Sequence, residues 1–427
     1  MTHDRSLATG QHAAGDESTV HPLSPPLTAG APDADEDDPR PVEVTYDYDD
    51  VDPSLFDGAL DAGLERWRPL LPPLAPETNL GEGNTPLVAL PSIADWVGVD
   101  ADVYLKDESQ NPTWSQKDRL NRLVVSAAIR ADARGVVASS SGNHGAAAAA
   151  YAARADLPCV ILTSPGTPPA VREFIASYGA TLLVVDDDDA RLAAVDRLAA
   201  EYGYHPASSR THPHTGHPYG PEGYKTIAYE TYRQLGGRVP GAVFVPTCYA
   251  ELLYGVWKGF RELEVLDIVD DTPRMVACEP AVRGPHAAAL ARGDAPVSVE
   301  AAPTAAHSIK ATTSSRRGLR AIRESRGFVA TFSEAGLAAA RERLARCGHW
   351  QEDSGAAGIA GLSATISGDG ETVAHDGRRV DPDSIEGPIV CLGTSSGFKN
   401  GRTRDGPAVD ADWESIRTAL DADGLPL

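Results

Sequence analysis

The chain has 427 residues, 42% of them hydrophobic, enough for two or three domains and a large buried core. Its formal net charge is −23, with acids spread along the whole length, which disfavours nucleic acid and an anionic membrane surface as partners. No apolar run approaches the roughly 20 residues that cross a bilayer, and the start of the chain holds no apolar signal-peptide core.

Residues 1 to about 42 are rich in Pro, Ser, Asp, Glu and Gly and poor in large apolar side chains, so they are expected to form a disordered acidic tail. From Leu80 the texture changes. Gly81-Glu82-Gly83-Asn84-Thr85-Pro86-Leu87-Val88 reads as a turn and short strand, and Asp102 to Asp107 alternates like another strand. Asn111-Pro112-Thr113-Trp114-Ser115-Gln116-Lys117-Asp118-Arg119 follows, with Leu120, Leu123, Val124, Ala127 and Ala128 at helical spacing behind it. Strand–helix units then repeat. Strands are expected at 135–138, 158–162 and 180–185, and helices at 146–155, 168–178 and 190–202. A loop rich in Pro, His and Gly, His205 to Tyr219, separates this block from a second one. There the pattern predicts strands at 242–246, 274–279 and 388–392, and helices at 222–235, 252–264, 334–346 and 354–362. Strands alternating with helices of this size imply mostly parallel sheets in two three-layer α/β domains. The division expected is 43–100 with 218–427 as a large α/β domain and 101–217 as a small one.

Lysine is scarce: only positions 106, 117, 225, 258, 310 and 399 carry it among 38 basic residues. Arginine over lysine, with the acid excess, suggests a surface adapted to high salt. Five scattered cysteines (159, 248, 278, 347 and 391) with no CxxC fit reduced thiols in a cytoplasm.

Loops at the carboxyl ends of predicted strands are where α/β sheets place ligands. Ser139 to Gly145 offers backbone N–H groups ahead of a helix, which is either an anion site or a simple N-cap. Pro246 to Glu251 is a second such junction, and Gly393-Thr394-Ser395-Ser396-Gly397-Phe398-Lys399 is a third. His205, His212, His214 and His217 are read as exposed loop histidines rather than metal ligands, and no metal is expected. Asp186 to Asp189 reads as a solvated strand end, and Arg316, Arg317 and Lys310 read as surface charge before a substrate phosphate site.

Together these stretches resemble the fold-type-II pyridoxal-phosphate enzymes, the tryptophan synthase β group, in its threonine synthase-like branch. The resemblance runs from about Leu80 to Lys399 and rests on residues 81–87, 105–113, 115–119, 140–145, 222–230 and 245–260. It implies pyridoxal 5'-phosphate in a cleft between the two domains, a small amino-acid substrate and a homodimer. It implies that Lys117 forms the Schiff base and moves protons, and that Asn143 bonds the cofactor's ring hydroxyl. Thr394, helped by Ser395, would face the ring nitrogen. Thr247, Cys248, Tyr249, Ala250 and Glu251 would hold the phosphate. Ser140, Ser141, Gly142 and His144 would hold the substrate carboxylate. Burial is expected to lower the Lys117 pKa toward neutrality. The activity implied is conversion of O-phospho-homoserine and water to threonine and phosphate; a threonine or serine ammonia-lyase and a non-catalytic ligand-binding member are the alternatives. One departure stands out. The family usually has a glycine-rich phosphate loop, and Cys248, Tyr249, Ala250 and Glu251 occupy it here.

Overall fold

A computed structural model describes residues 5–35, 39–293, 295–399, 408–420 and 422, together with the backbone of residues 400 and 421. Its strands are β1 Ala8–Ala13, β2 Val42–Tyr46, β3 Leu87–Ala89, β4 Val103–Asp107, β5 Gly135–Ser139, β6 Cys159–Thr163, β7 Thr181–Val184, β8 Tyr204–Pro206, β9 Ala242–Pro246, β10 Arg274–Pro280, β11 Phe328–Phe332, β12 Thr372–Ala374 and β13 Ile389–Gly393. They form three sheets. A seven-stranded sheet has the order β12-β11-β10-β9-β13-β4-β3, and a four-stranded sheet has the order β7-β6-β5-β8. The large sheet is parallel except at its edge strands β12 and β3, and the small sheet is parallel throughout. Central strands β9 and β13 are buried along their whole length, as near-continuous apolar runs between helix layers must be.

The helix Lys117–Arg130 joins the two sheets in sequence. It buries Leu120, Leu123, Val124, Ala127 and Ala128, the stripe its spacing predicts. Three loops leave the carboxyl ends of parallel strands: residues 140–142 after β5, 247–250 after β9 and 394–396 after β13. Strands β9 and β13 are neighbours, so two of these loops emerge side by side.

The structure corrects the N-terminal expectation. β1 pairs antiparallel with β2, and Gln11 is fully buried. Its amide donates to Pro22 O at 2.7 Å and Pro25 O at 2.8 Å, and its Oε1 accepts from Leu27 N at 3.0 Å. Backbone pairing and one buried amide order this stretch where apolar burial alone would not. β4 also belongs to the large sheet, so the small sheet begins at β5 rather than near residue 101. Asp187 is the N-cap of the helix Asp188–Tyr202, its carboxylate accepting from Ala190 N at 2.6 Å, so the acidic run starts a helix. Arg317 is buried, not a surface charge; it donates to Val42 O at 2.6 Å and Thr215 O at 2.8 Å and so ties β2 to the core.

Two buried ionic networks brace the framework. In one, Arg119 meets Glu108 and Glu230 at 2.7 Å each, and Lys106 meets Glu230 at 2.7 Å. In the other, Lys225 joins Glu222 and Glu262 at 2.8 Å each, and Lys258 joins Glu222 at 2.6 Å. Lys106, Lys225 and Lys258 are therefore all buried, while Lys310 is exposed.

Candidate active site around Lys117

Lys117 is the first residue of its helix, and the loop before it is held from two sides. Buried Asp118 accepts from Thr113 N at 3.0 Å and from Thr113 Oγ1 at 2.7 Å, which closes the turn onto the helix start. The loop after β13 pairs with the same turn. Ser115 and Ser395 form an antiparallel bridge, Gln116 N donates to Thr394 O at 3.1 Å, and Ser396 N donates to Trp114 O at 3.1 Å. The sequence-expected Thr394 and Ser395 thus lie directly beside Lys117, both buried.

The Lys117 amine is 5.6 Å from the Tyr224 ring centre. Burial alone would push the amine down, but Tyr224 and the Glu251 carboxylate outweigh it and hold the pKa above its ordinary range. This reverses the sequence expectation, which counted burial and not the anion beside the amine. Around Lys117, the buried atoms Ser115 Oγ, Gln116 Oε1 and Asn121 Oδ1 have no hydrogen-bond partner within the protein. Asn121 Nδ2 lies 3.3 Å from His144 Nδ1. Burial, with Lys117 and His214 nearby, pulls the His144 imidazole down to about 3, so it is neutral.

Asn143 is buried and fully oriented. Its Oδ1 accepts from Lys399 Nζ at 2.8 Å and Ser395 Oγ at 3.2 Å, and its Nδ2 donates to Glu352 Oε1 at 3.1 Å. Glu352 also accepts from Ser308 Oγ at 3.0 Å. Burial raises the Glu352 pKa, against the pull of Lys399. Burial also pushes the Lys399 amine down to about 8, with Glu352 and Asp118 opposing. Sequence reasoning assigned no role to Glu352, which stands in no motif, nor to Lys399, for which lysine scarcity was a usable signal.

The Ser140 hydroxyl accepts from Gly145 N at 2.9 Å and Gly142 N at 3.3 Å, so it shapes its own loop, while Ser141 is exposed. After β9, Thr247 Oγ1 donates back to Val245 O at 2.7 Å. Burial pushes the Cys248 thiol up. Tyr249 is exposed, and its ring meets His214 edge-on at 4.8 Å. Ala250 has φ +61°, which turns the chain into the helix Glu251–Val265. The first N–H groups of such a helix have no intrahelical partner. His205 Nε2 and His217 Nε2 lie 3.3 Å apart, both buried rather than exposed, and no cluster of three or more metal-ligating side chains occurs among the described residues.

Trp114 stacks on Phe174 at 5.4 Å and meets Phe398 at 6.1 Å, so the turn before Lys117 links the small-sheet unit to the segment after β13.

Residues 78–375 match the family described as "Pyridoxal-phosphate dependent enzyme". The chain is 30% identical over 392 residues to the threonine synthase of Methanosarcina acetivorans, covering 89% of this chain and 92% of that one. It is 32% identical to the threonine synthase of Synechocystis, over 79% of this chain and 83% of that one. Among solved structures it is similar to threonine deaminase isoform 2 of Solanum lycopersicum, with TM-score 0.60, 20% identity, and coverage of 80% and 88%. Maize serine racemase gives TM-score 0.60 at 19% identity, over 79% of this chain and 93% of that one. The strand order, the lysine at the head of its helix and these likenesses agree: the chain belongs to the pyridoxal-phosphate dependent enzymes of fold type II.

Proposed function

We propose that the protein is a lyase of the threonine synthase type, converting O-phospho-homoserine and water to threonine and phosphate. The observation that carries this reading is that Ser395 ties the turn before Lys117, through its bridge to Ser115, to the Asn143 amide, in a chain 30% identical to a threonine synthase across 89% of its length. The orphaned oxygens of Ser115, Gln116 and Asn121 fit a polar group bound against Lys117. The donors also fit: a primary amine, an oriented amide, neutral hydroxyls, and a helix start for a phosphate. Bound there, pyridoxal phosphate supplies the electron sink that makes the substrate's α-proton removable.

The chain's own residues supply placement and proton transfer. Lys117 takes the proton from the substrate Cα and returns protons later, once its own amine has lost the charge that Tyr224 and Glu251 favour. Asn143 has one Nδ2 hydrogen left after Glu352, and it would donate this to the ring hydroxyl of the cofactor. Thr394 would offer a hydroxyl rather than a carboxylate to the ring nitrogen, which favours elimination over transamination, while Ser395, whose proton goes to Asn143 Oδ1, helps by holding that amide in place. Ser141, Gly142 and His144 present the head of the helix Asn143–Arg154 to the substrate carboxylate, and Ser140 holds that loop in shape. The loop Thr247 to Glu251 receives the cofactor phosphate. We place the enzyme in the cytoplasm of a salt-adapted cell as a homodimer; the composition and the branch of the family support this.

One observation favours a second reading, a threonine or serine ammonia-lyase. The Glu251 carboxylate adds negative charge that acts on Lys117, which suits a leaving hydroxyl better than a leaving phosphate. A substrate panel separates the two. Phosphate release from O-phospho-homoserine with formation of threonine supports the first. Oxo acid from threonine or serine without that phosphate release supports the second. A colourless protein that takes up no added cofactor would sink both.

A further inference from the structure

We propose that Glu251 is a built-in electrostatic brake on phosphate binding, so that this chain holds the phosphate of its cofactor more weakly than its fold allows. The proposal rests on the cofactor reading above and adds a role for one residue that departs from the family's glycine-rich loop.

Glu251 is the first residue of the helix Glu251–Val265, the helix whose open N–H groups would receive the phosphate. Its carboxylate is turned toward residues 216–220. Oε1 accepts from His217 N at 3.1 Å. Two glycines make the room for it: a Cβ on Gly216 would lie 2.3 Å from Oε1, and one on Gly220 would lie 3.0 Å away. Gly216 also has φ +82°, a conformation that side chains rarely adopt. The loop and the helix after it are thus shaped around this carboxylate at the start of its helix. The same carboxylate acts on Lys117, Tyr224, His214 and Cys248, so its charge is felt across the site.

A helix start attracts an anion, and a fixed negative side chain in its first turn uses up part of that attraction. A phosphate arriving there meets the dipole and the carboxylate together, and in a partly desolvated cleft like charges repel strongly. The brake acts on the phosphate and not on the ring or the aldehyde, and this makes the idea testable with a ligand pair.

The full-length protein, stripped of cofactor, is titrated with pyridoxal phosphate and separately with pyridoxal, which has no phosphate. Binding is read from the absorbance of the chromophore and from the thermal transition, for the wild type, Glu251→Gln and Glu251→Ala. Glu251→Gln keeps the shape and an acceptor for His217 N–H. The expected result is that both variants bind pyridoxal phosphate roughly tenfold more tightly while their affinity for pyridoxal stays within about twofold. Equal affinity of wild type and variants for pyridoxal phosphate overturns the proposal. So does a gain of the same size for both ligands, which would place the effect on the Lys117 amine instead. Failure of wild type and variants alike to take up pyridoxal phosphate would reject the cofactor reading itself, and the brake with it. A variant with an altered circular dichroism spectrum or thermal transition before ligand is added is set aside, and the ligand-pair comparison is made on the other.

Discussion

Lys399 Nζ donates to Asn143 Oδ1 at 2.8 Å, and this bond fixes which way the Asn143 amide faces. With Ser395 Oγ on the same oxygen, both acceptor positions are filled, and the nitrogen must point at Glu352 and into the cleft. Lys399→Met is therefore expected to free the amide to flip and to lower turnover by about tenfold. The bound cofactor's absorption band should titrate with a midpoint near 8 in the wild type, because burial sets the Lys399 amine at about 8, and that titration should vanish in the variant. The linkage has a definite sign. Between about 8 and the ordinary 10.5 the unfolded chain holds a proton that folded Lys399 has lost, so this group's contribution to stability rises with pH there. Urea unfolding of wild type and Lys399→Met across that window checks it.

Lys117→Ala should remove the yellow colour of the loaded protein and lower turnover by at least roughly a thousandfold. Lys117 is half-buried at a helix start, so the thermal transition of the cofactor-free protein should hardly move. A large loss of stability with the colour retained would contradict the role given to this amine.

Glu230 receives both Lys106 and Arg119 in a site with no water access. Glu230→Gln leaves two buried cations short of charge and should cost about 3–5 kcal/mol in denaturant unfolding at neutral pH. Burial alone would raise the Glu230 pKa, but Arg119 and Lys106 pull it down to about 2. Its stabilising contribution is thus complete above the ordinary 4.5 and is lost as pH falls toward 2. The acid limb of the stability profile should be flatter in the variant.

Gln11 gives a direct test of order in the N-terminal segment. Gln11→Ala removes the donors to Pro22 O and Pro25 O and the acceptor of Leu27 N, and should cost about 2–3 kcal/mol. A disordered tail would make the substitution silent. The thermal transition of the full chain decides between them.

The parts of the fold legible in the sequence were those set by period. Strands β5, β6, β9, β10 and β13 are apolar runs between turns, and the helices around them carry 3.6-residue stripes. Strand β1 was not legible because Ala8–Ala13 holds no large apolar side chain; pairing with β2 and the Gln11 amide order it. At the site, Lys117 and Asn143 stood in recognisable stretches. Glu352 did not: it follows Gln351 on a bridge to Ser396, a long-range pairing that no local pattern announces. The charge on Lys117 was misjudged for a related reason. Glu251 lies far from it in the chain and comes beside it only through the loop after β9.

The burial of the lysines also has a practical reach. Lys106, Lys225, Lys258 and Lys399 are closed off from solvent, Lys117 is partly covered, and Lys310 is the one lysine whose side chain is exposed. An amine-reactive dye should therefore mark Lys310 ahead of every other lysine. A cross-linker that needs a lysine on each of two copies will, by the same token, reach this protein mainly through Lys310.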